Sequence, residues 1–188
     1  MVIQFQKALA ANPSHEMRTR RLRLRPVRDE DAQPIFESFT AEVTRYMRPA
    51  PPRDLSESEA FIERALATHA RGTDFHWTIE NRQTGDFLGL SGLHGGNNRV
   101  GLELGVWLKK EAHGSHYGQE AVEAVVAWVS AYVDCDDLIY PVDKRNTASR
   151  KIPERLGGEI IGERNIQNES GTILDEFVYR IPLMTDAG

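Results

Sequence analysis

One apolar segment, residues 118–133, restricts the folds open to this chain more than any other feature. Two adjacent stripes at helical spacing are apolar, and they consist of Ala121, Val125, Trp128 and Tyr132 and of Val122, Val126, Val129 and Val133. Glu123 and Ser130 face away from both stripes. Because a helix with so wide an apolar face has to bury most of its surface, the segment predicts a helix packed deeply against a sheet.

The strands for such a sheet are present as short apolar runs. Alternating leucines and arginines predict a half-buried strand over residues 20–27. Three consecutive runs with Gly-containing turns predict an antiparallel meander over residues 75–80, 87–93 and 100–108. Three more strands are predicted over residues 138–142, 159–166 and 173–182.

Capping residues and helical periodicity predict three further helices. An acidic cluster at residues 29–31 begins the first, Ser56 and Glu59 form a capping box for the second, and Asn146 caps the last. The resulting order is β-α-α-β-β-β-α-β-α-β-β. It predicts a mixed α+β fold with a mostly antiparallel sheet of about seven strands and about four flanking helices.

The length of 188 residues suits a single domain. We expect this domain over residues 19–183, preceded by an N-terminal extension over residues 1–18 and followed by a flexible tail over residues 184–188. Within the extension, residues 3–11 have a pattern compatible with a short helix.

Composition excludes several classes of function. A net charge of −5 argues against a nucleic-acid partner, since such proteins usually carry a basic patch. Cys135 is the only cysteine, so no internal disulfide can form, and a lone thiol fits a reducing cytoplasm. No apolar run approaches the ~18 residues of a membrane span, and the start of the chain lacks the features of a signal peptide. We therefore expect a cytoplasmic protein without a membrane partner.

Residues 101–120, GLELGVWLKKEAHGSHYGQE, join a strand to the apolar helix through a loop with Gly114 and Gly118. The free N–H groups and the positive dipole end at such a junction suit a pyrophosphate, although the same glycines also occur in ordinary turns. Neither a Gly-Lys-Ser/Thr loop nor a G-x-G-x-x-G sequence is present. His113 and His116 have a spacing that metal ligands use, but with no third ligand nearby we predict no metal site.

Three segments carry a resemblance to a known family. Residues 113–118, HGSHYG, stand where the GNAT superfamily has its [Gln/Arg]-x-x-Gly-x-[Gly/Ala] loop. Residues 146–149, NTAS, followed by ERLGG at 154–158, resemble a second family segment, and residues 19–26, TRRLRLRP, resemble its first strand. Across residues 19–182 the chain resembles the ribosomal-protein-acetyltransferase (RimJ/RimL-like) branch of the GNAT superfamily.

The resemblance implies an enzyme that passes the acetyl group of acetyl-CoA to an amine, on a sheet that is splayed in its middle. It implies cofactor contacts for a splayed strand end, a loop and a helix start: Val106, Trp107, Leu108, His113, Gly114, Ser115, His116, Tyr117, Gly118, Asn146 and Ser149. Ser149 is also the family-matched candidate for the group that donates to the leaving thiolate. The family position that often holds a tyrosine is Pro153 here, and the usual loop glycine and Gln/Arg are His116 and His113.

Glu103 is the candidate general base. It lies on the fourth predicted strand between Leu102 and Leu104, and a carboxylate on an otherwise apolar strand is a candidate to take a proton from an amine. The alternative is that Glu103 pairs with an arginine on the surface of the sheet.

The expected acceptor is a primary amine, first of all the N-terminus of a protein or peptide. A small amine such as a polyamine, an amino acid or an aminoglycoside is the alternative acceptor. A non-catalytic module that binds acyl-CoA is the alternative from another class of function. Antiparallel edge strands and the family suggest that a homodimer is possible.

Overall fold

The computed structural model describes residues 2–5, 15–95 and 101–183, which form one eight-stranded sheet with helices on both faces. In sheet order the strands are β1 (Met17–Arg18), β2 (Leu22–Pro26), β3 (Asp74–Asn81), β4 (Phe87–His94), β5 (Leu102–Leu108), β6 (Asp137–Asp143), β8 (Ile173–Pro182) and β7 (Glu159–Gln167). The α-helices of the described part are α1 (Ala32–Ser38), α2 (Leu55–Ala70), α3 (Tyr117–Tyr132) and α4 (Thr147–Arg155).

Every strand pair is antiparallel except β5 with β6, so the predicted mixed fold with a mostly antiparallel sheet is confirmed. The additional strand is β1, a two-residue pairing with β2 that no sequence pattern indicated. None of the helices in the described ranges is long and apolar enough to cross a bilayer.

Helix α3 covers one face of the sheet, as its two apolar stripes predicted. Ala121, Val122, Val125 and Val129 are completely buried, and Trp128 packs on the rings of β3. A second, smaller apolar cluster joins α1 and α2 to β4 and to the end of β2, and it consists of Val27, Ala32, Ile35, Ile62, Ala65 and Leu90. The first cluster holds most of the buried apolar residues, so packing on α3 is the main source of hydrophobic stabilisation.

Some details of the helix boundaries differ from the sequence predictions. Helix α2 is capped by Asp54, whose side chain accepts from the Glu57 N–H, and the predicted capping box of Ser56 and Glu59 is wrong. The Asp side chain one residue before the helix takes the role because Ser56 already lies inside the first turn. The Asn146 cap of α4 is confirmed, since its side chain accepts from the Ser149 N–H at 3.2 Å.

The described residues of the N-terminal extension, 2–5 and 15–18, pack on the domain. Ile3 is buried, and Phe5 forms a bridge with Val133 and contacts the ring of Trp128. Most of the short helix expected over residues 3–11 lies outside the described residues, as do the turn at residues 96–98 and the tail over residues 184–188. Cys135 follows α3 and is half-buried.

A buried ionic cluster fixes the start of α1 to the sheet. The Arg25 guanidinium forms a bidentate pair with Asp31 at 2.8 Å and a further bond to Glu80 at 2.7 Å. Asp31 also accepts from the Thr78 hydroxyl and the Arg28 N–H. Burial alone would raise the pKa of Asp31, but these bonds outweigh it and lower that pKa. The cluster therefore stabilises the fold only as a complete, fully bonded unit.

We expect Asp31→Asn to lower the free energy of unfolding by about 3 kcal/mol, because it leaves the buried Arg25 charge without its full partner. Since the folded-state pKa of Asp31 is depressed, this contribution is full above the ordinary carboxyl pKa and is lost as the pH falls through the folded-state value. Urea denaturation at neutral pH measures the free energy of unfolding of Asp31→Asn and of a control, Asp29→Asn, which changes an exposed carboxyl of the same turn. Equal midpoints for the two variants would contradict the role of the cluster.

Candidate active site

The sheet opens between its two central strands, β5 and β6. The register of their parallel ladder covers only two residue pairs, Leu102 with Leu138 and Glu103 with Ile139. Beyond that point β5 stays paired to β4 as far as Leu108, whereas β6 continues along β8. One edge of each central strand is therefore open along the rest of its length.

Pro141 explains where the ladder stops. Alternate residues of a strand direct their main-chain groups to the same side, and the bond from the Lys144 N–H to the Asp175 carbonyl means that even-numbered residues of β6 face β8. Ile139 and Pro141 consequently face β5. The next ladder bond would need an N–H at position 141, which proline lacks.

The open edge of β5 presents main-chain groups to the gap. The Lys109 N–H donates to the Leu88 carbonyl at 2.8 Å, so odd-numbered residues of β5 bond to β4, and Val106 and Leu108 face the opening. The Leu108 carbonyl already accepts a hydrogen bond from Nε2 of His113 at 2.9 Å. Val106 is thus placed to pair with an extended ligand.

Trp107 faces away from this edge. Its side chain packs against Phe39 and Phe87, with ring centroids 4.7 and 5.9 Å away, and its main chain faces β4. A Cβ at Gly89 would lie 2.1 Å from the Trp107 carbonyl oxygen. Glycine at position 89 is therefore required for β4 to approach the end of β5.

The loop after β5 leads to an uncapped helix N-terminus. No described side chain caps α3, and the Glu120 N–H is bonded to the His116 carbonyl at 3.2 Å. The N–H groups of Tyr117, Gly118 and Gln119 precede it in the first turn and are open to an anion. The cofactor contacts predicted for this segment lie in this loop and first turn: His113, Gly114, Ser115, His116, Tyr117 and Gly118.

His116 has a strained main chain. Its φ of 61° and ψ of 17° are left-handed, and it is the one non-glycine residue with positive φ in the described ranges. A side chain in this region costs roughly 1–2 kcal/mol. The backbone at position 116 thus has the conformation that the glycine of the family loop would adopt freely.

Arg21 braces this loop from β2. Its Nε bonds to Glu120 at 2.6 Å, one of its terminal nitrogens bonds to the Ser115 carbonyl at 2.9 Å, and the guanidinium lies 4.5 Å from the Tyr117 ring centroid. Glu120 also accepts from the Thr19 hydroxyl. Burial opposes ionisation of Glu120, but these hydrogen bonds lower its pKa. The loop is therefore held in place, and Arg21 compensates the negative charge beside the anion site.

Ser149 lies in the first turn of α4, on the other side of the opening. The Asn146 side chain fixes its main chain, and its Oγ lies 2.8 Å from the hydroxyl of Tyr140 on β6. Tyr140 is buried, which raises the pKa of its phenol to about 12. The two predicted residues of this segment, Asn146 and Ser149, thus lie together with a tyrosine that the sequence did not indicate.

A cavity of about 660 Å³ lies at the opening. Its lining includes five of the predicted site residues, namely Glu103, Val106, Trp107, Asn146 and Ser149. Leu108 and the loop of residues 113–118 lie beside it along the continuation of β5. The cavity and the loop thus follow one another along β5 and its continuation into α3.

Two carboxylates share one arginine inside the cavity. Arg164 on β7 bonds to Glu176 through Nε at 2.6 Å, and a terminal nitrogen lies 3.6 Å from Glu103. Glu176 is buried and its pKa is raised by that burial, which the pairing with Arg164 opposes, whereas the Glu103 side chain is 40% exposed. Glu103 thus pairs with an arginine and also faces the cavity, and its role as general base stays a prediction.

The cavity is roofed by contacts between two distant segments. The Asn168 side chain donates to the Met47 carbonyl, the Glu169 N–H donates to the Arg48 carbonyl, and the Glu169 carboxylate accepts from the Ala50 N–H. The turn between β7 and β8 is therefore tied to the Pro-rich loop before α2. We call these contacts, between residues 47–50 and 168–169, the roof.

Two histidines line the same cavity on the side of β3 and β4. His94 lies opposite Glu103 in the ladder, and its Nδ1 is 3.3 Å from Asp74. Burial, with a smaller contribution from His94, lowers the pKa of His76 to about 4, so His76 is neutral at pH 7. Within the described ranges no group of three or more His, Cys, Asp or Glu side chains is arranged to hold a metal ion.

Several residues of the site were not predicted from the sequence: Arg21, Tyr140, Pro141, Arg164 and Glu176. Arg21 was assigned only to the polar face of a strand, and the others lie on strands whose pattern indicated burial or exposure alone. Each acquires its role through a contact with a residue distant in sequence or through the opening itself.

Comparisons with known proteins agree with this geometry. Residues 21–159 match the family model described as "Acetyltransferase (GNAT) domain". The chain is 27% identical over 168 residues to the uncharacterized N-acetyltransferase YoaA of Bacillus subtilis (strain 168), covering 88% of this chain and 95% of the relative.

Solved structures have the same fold. A RimL ribosomal L7/L12 α-N-protein acetyltransferase in complex with coenzyme A superposes with a TM-score of 0.79 at 15% identity, over 92% of this chain and 100% of that chain. A ribosomal-protein-S5-alanine acetyltransferase from Vibrio fischeri superposes with a TM-score of 0.71 at 16% identity, over 89% and 96% of the two chains.

We expect His116→Gly to raise the free energy of unfolding by up to about 1 kcal/mol, because relief of left-handed strain exceeds the entropy that glycine adds to the unfolded chain. Ser115→Gly is the matched control: Ser115 has no positive φ, so the same change should destabilise by about 0.5–1 kcal/mol. Differential scanning calorimetry should place the two melting temperatures on opposite sides of the wild-type value. Equal shifts would contradict the assigned strain.

Proposed function

The chain belongs to the GNAT family of N-acetyltransferases, and on that premise we propose that it transfers the acetyl group of acetyl-CoA to the free amine at the N-terminus of a protein or peptide. The observation that carries the proposal is the open edge of β5, which joins an uncapped helix N-terminus to a roofed cavity with carboxylates. Acetyl-CoA, the donor that GNAT acetyltransferases use, supplies an activated acetyl thioester.

The residues of this chain fit such a donor. The first-turn N–H groups of Tyr117, Gly118 and Gln119 are suited to hold the diphosphate, and the Arg21 brace keeps their loop in place. Val106 is suited to pair with the amide-containing arm that follows. His113, which replaces the Gln/Arg of the family loop, holds the Leu108 carbonyl instead.

The main chain of β5 also provides for the charge that develops during transfer. An N–H of the open strand edge at Val106 faces the cavity, where it is suited to donate to the carbonyl oxygen of the acetyl group as that oxygen gains charge. A donor fixed in this way before the reaction is commonly worth ~2.7–4 kcal/mol. Because it belongs to a strand, its direction is set by the ladder with β4.

We assign the removal of the ammonium proton to Glu103. Its side chain is reachable from the cavity, whereas Glu176 is buried and bonded to Arg164 at 2.6 Å. A carboxylate within hydrogen-bond reach of an ammonium group, directly or through one water, can act as its general base. The proton passes to Glu103 directly or through one water molecule.

The roof supports an N-terminal peptide as the acceptor. Residues 47–50 and Glu169 line the cavity, and their contacts tie the turn between β7 and β8 to the loop before α2, which favours an acceptor that enters as a narrow chain end. The similar folds of the RimL and S5-alanine acetyltransferases support the same choice. The exposed carboxylate of Glu103 in the lining suits the ammonium group of any N-terminus.

Release of free thiol from acetyl-CoA tests the proposal. We expect turnover with short peptides that have free N-termini, and none with the same peptides after chemical N-acetylation. Polyamines, amino acids and aminoglycosides form the second arm, and a higher kcat/KM for these would overturn the peptide assignment. Tight binding of acetyl-CoA by calorimetry without thiol release from any amine would instead indicate a binding module.

We expect Glu103→Gln to lower kcat by about 10²–10⁴-fold, because general base catalysis usually contributes that much. Binding of acetyl-CoA, measured by calorimetry, should stay within twofold, since the carboxylate does not line the diphosphate loop. Glu59→Gln, which changes an exposed carboxylate of α2, is the control and should leave both quantities unchanged. An unchanged kcat for Glu103→Gln would remove it as the base.

A further inference from the structure

We propose that Tyr140 is a positioning residue for acetyl transfer, which holds the Ser149 hydroxyl with its hydrogen directed at the sulfur of the leaving coenzyme A. The proposal rests on the proposed function and deepens it, because it assigns a second residue to the departure of the thiolate. It uses a contact between Ser149, which lies in a family-like segment, and Tyr140, which lies outside every motif of the sequence.

The position of Tyr140 in the sheet is particular. Ile139 is the last residue of β6 in register with β5, so Tyr140 is the first residue beyond the point where the strands part. The following residue, Pro141, is the one that ends the ladder. Tyr140 therefore lies at the apex of the opening and at the lining of the cavity.

Ser149, the hydrogen-bond partner of Tyr140, is fixed by its own neighbours. Ser149 lies in the first turn of α4, where Asn146 accepts a hydrogen bond from its N–H at 3.2 Å. The Tyr140 hydroxyl lies 2.8 Å from Ser149 Oγ, within ordinary hydrogen-bond distance. With the main chain of Ser149 fixed and its Oγ held by Tyr140, the remaining freedom is the direction of the hydroxyl hydrogen.

Two hydroxyl groups that share one hydrogen bond leave one hydrogen for a third group. Each hydroxyl can donate once, so the direction of the shared bond decides where the other hydrogen points. A phenol is a stronger acid than an alcohol and hence the better donor, and burial keeps Tyr140 protonated. Tyr140 therefore donates to Ser149, and the Ser149 hydrogen is left to bond the sulfur.

The Tyr140–Ser149 pair stabilises the negative charge that develops on the sulfur without giving up a proton of either hydroxyl. One proton of the ammonium goes to Glu103, and the amine nitrogen that is freed attacks the acetyl carbon. The C–N bond forms, the C–S bond breaks with its electron pair on sulfur, and the nitrogen loses its second proton to water. Tyr140 and Ser149 keep their protons, and the thiolate takes up a proton from water as it leaves. Donation by Tyr140 polarises the Ser149 hydroxyl, and bonds in such a chain strengthen one another.

A double-mutant cycle tests the coupling. We expect Tyr140→Phe to lower kcat about 10-fold while the KM for acetyl-CoA stays within twofold, and Ser149→Ala to lower kcat at least as much. In the Ser149→Ala background, Tyr140→Phe should have no further effect. Equal factors in both backgrounds would overturn the proposal, because a merely structural tyrosine would act independently of Ser149.

Tyr179→Phe is the matched control. Tyr179 lies directly opposite Tyr140 in the ladder of β6 and β8, is equally buried, and bonds through its hydroxyl to Glu154 of α4. Tyr179→Phe removes the same hydroxyl oxygen beside the same helix, α4, from a side chain that forms no bond with Ser149. We expect its kcat to stay within twofold of the wild type, and a loss equal to that of Tyr140→Phe would contradict the assignment.

The nature of the leaving group provides an independent measurement. With the acetyl selenoester of coenzyme A, whose selenolate leaves more readily, the loss caused by Tyr140→Phe should shrink to less than threefold. An undiminished loss would overturn the proposal. If Tyr140→Phe does not fold, 3-fluorotyrosine at position 140 keeps the shape and changes the donor strength, and it should alter kcat in the wild-type but not in the Ser149→Ala background.

The outcomes separate the two proposals. No thiol release by the wild type with any amine would reject the proposed function. Normal turnover by the wild type, together with additive variants, would reject the role of Tyr140 alone.

Discussion

A row of polar main-chain groups, left open in the middle of a sheet, is the constraint on which the rest of the molecule depends. Sheets normally satisfy such groups with a neighbouring strand, and unpaired buried N–H and C=O groups are costly. Here Pro141 cannot supply the next ladder bond, and β5 and β6 separate. The starts of α3 and α4 then lie on the two sides of the gap, and we propose the open edge as the binding surface.

The electrostatics of the region divide it into two parts. Around the start of α3 the helix dipole and free N–H groups favour negative charge, and Arg21 compensates Glu120. Inside the cavity Glu103 and Glu176 favour a cation, with Arg164 between them. In the proposed reaction, an anionic donor and a cationic acceptor would thus have separate places that meet at the parted strands.

Much of the fold follows from local pattern, and much of the site does not. The stripes of α3 and the alternation of the strands are periodic, so their order and type could be predicted. The arginines of β2 show the limit: alternation assigns Arg25 to the polar face, but α1 covers that face and buries it with Asp31 and Glu80. Likewise the loop of residues 113–118 is readable from sequence, whereas the Tyr140–Ser149 contact needs the meeting of β6 and α4.

The surroundings of the lone cysteine, Cys135, lower the reactivity of its thiol. Burial first, and then the negative charges of Asp137, Asp136 and Asp134, raise the pKa of Cys135 to about 11. At pH 7 only about one such thiol in 10⁴ is ionised, and the thiolate is the form that reacts. Because the thiolate is disfavoured, we expect Cys135 to be slow to capture acyl groups from a thioester donor or to exchange into mixed disulfides.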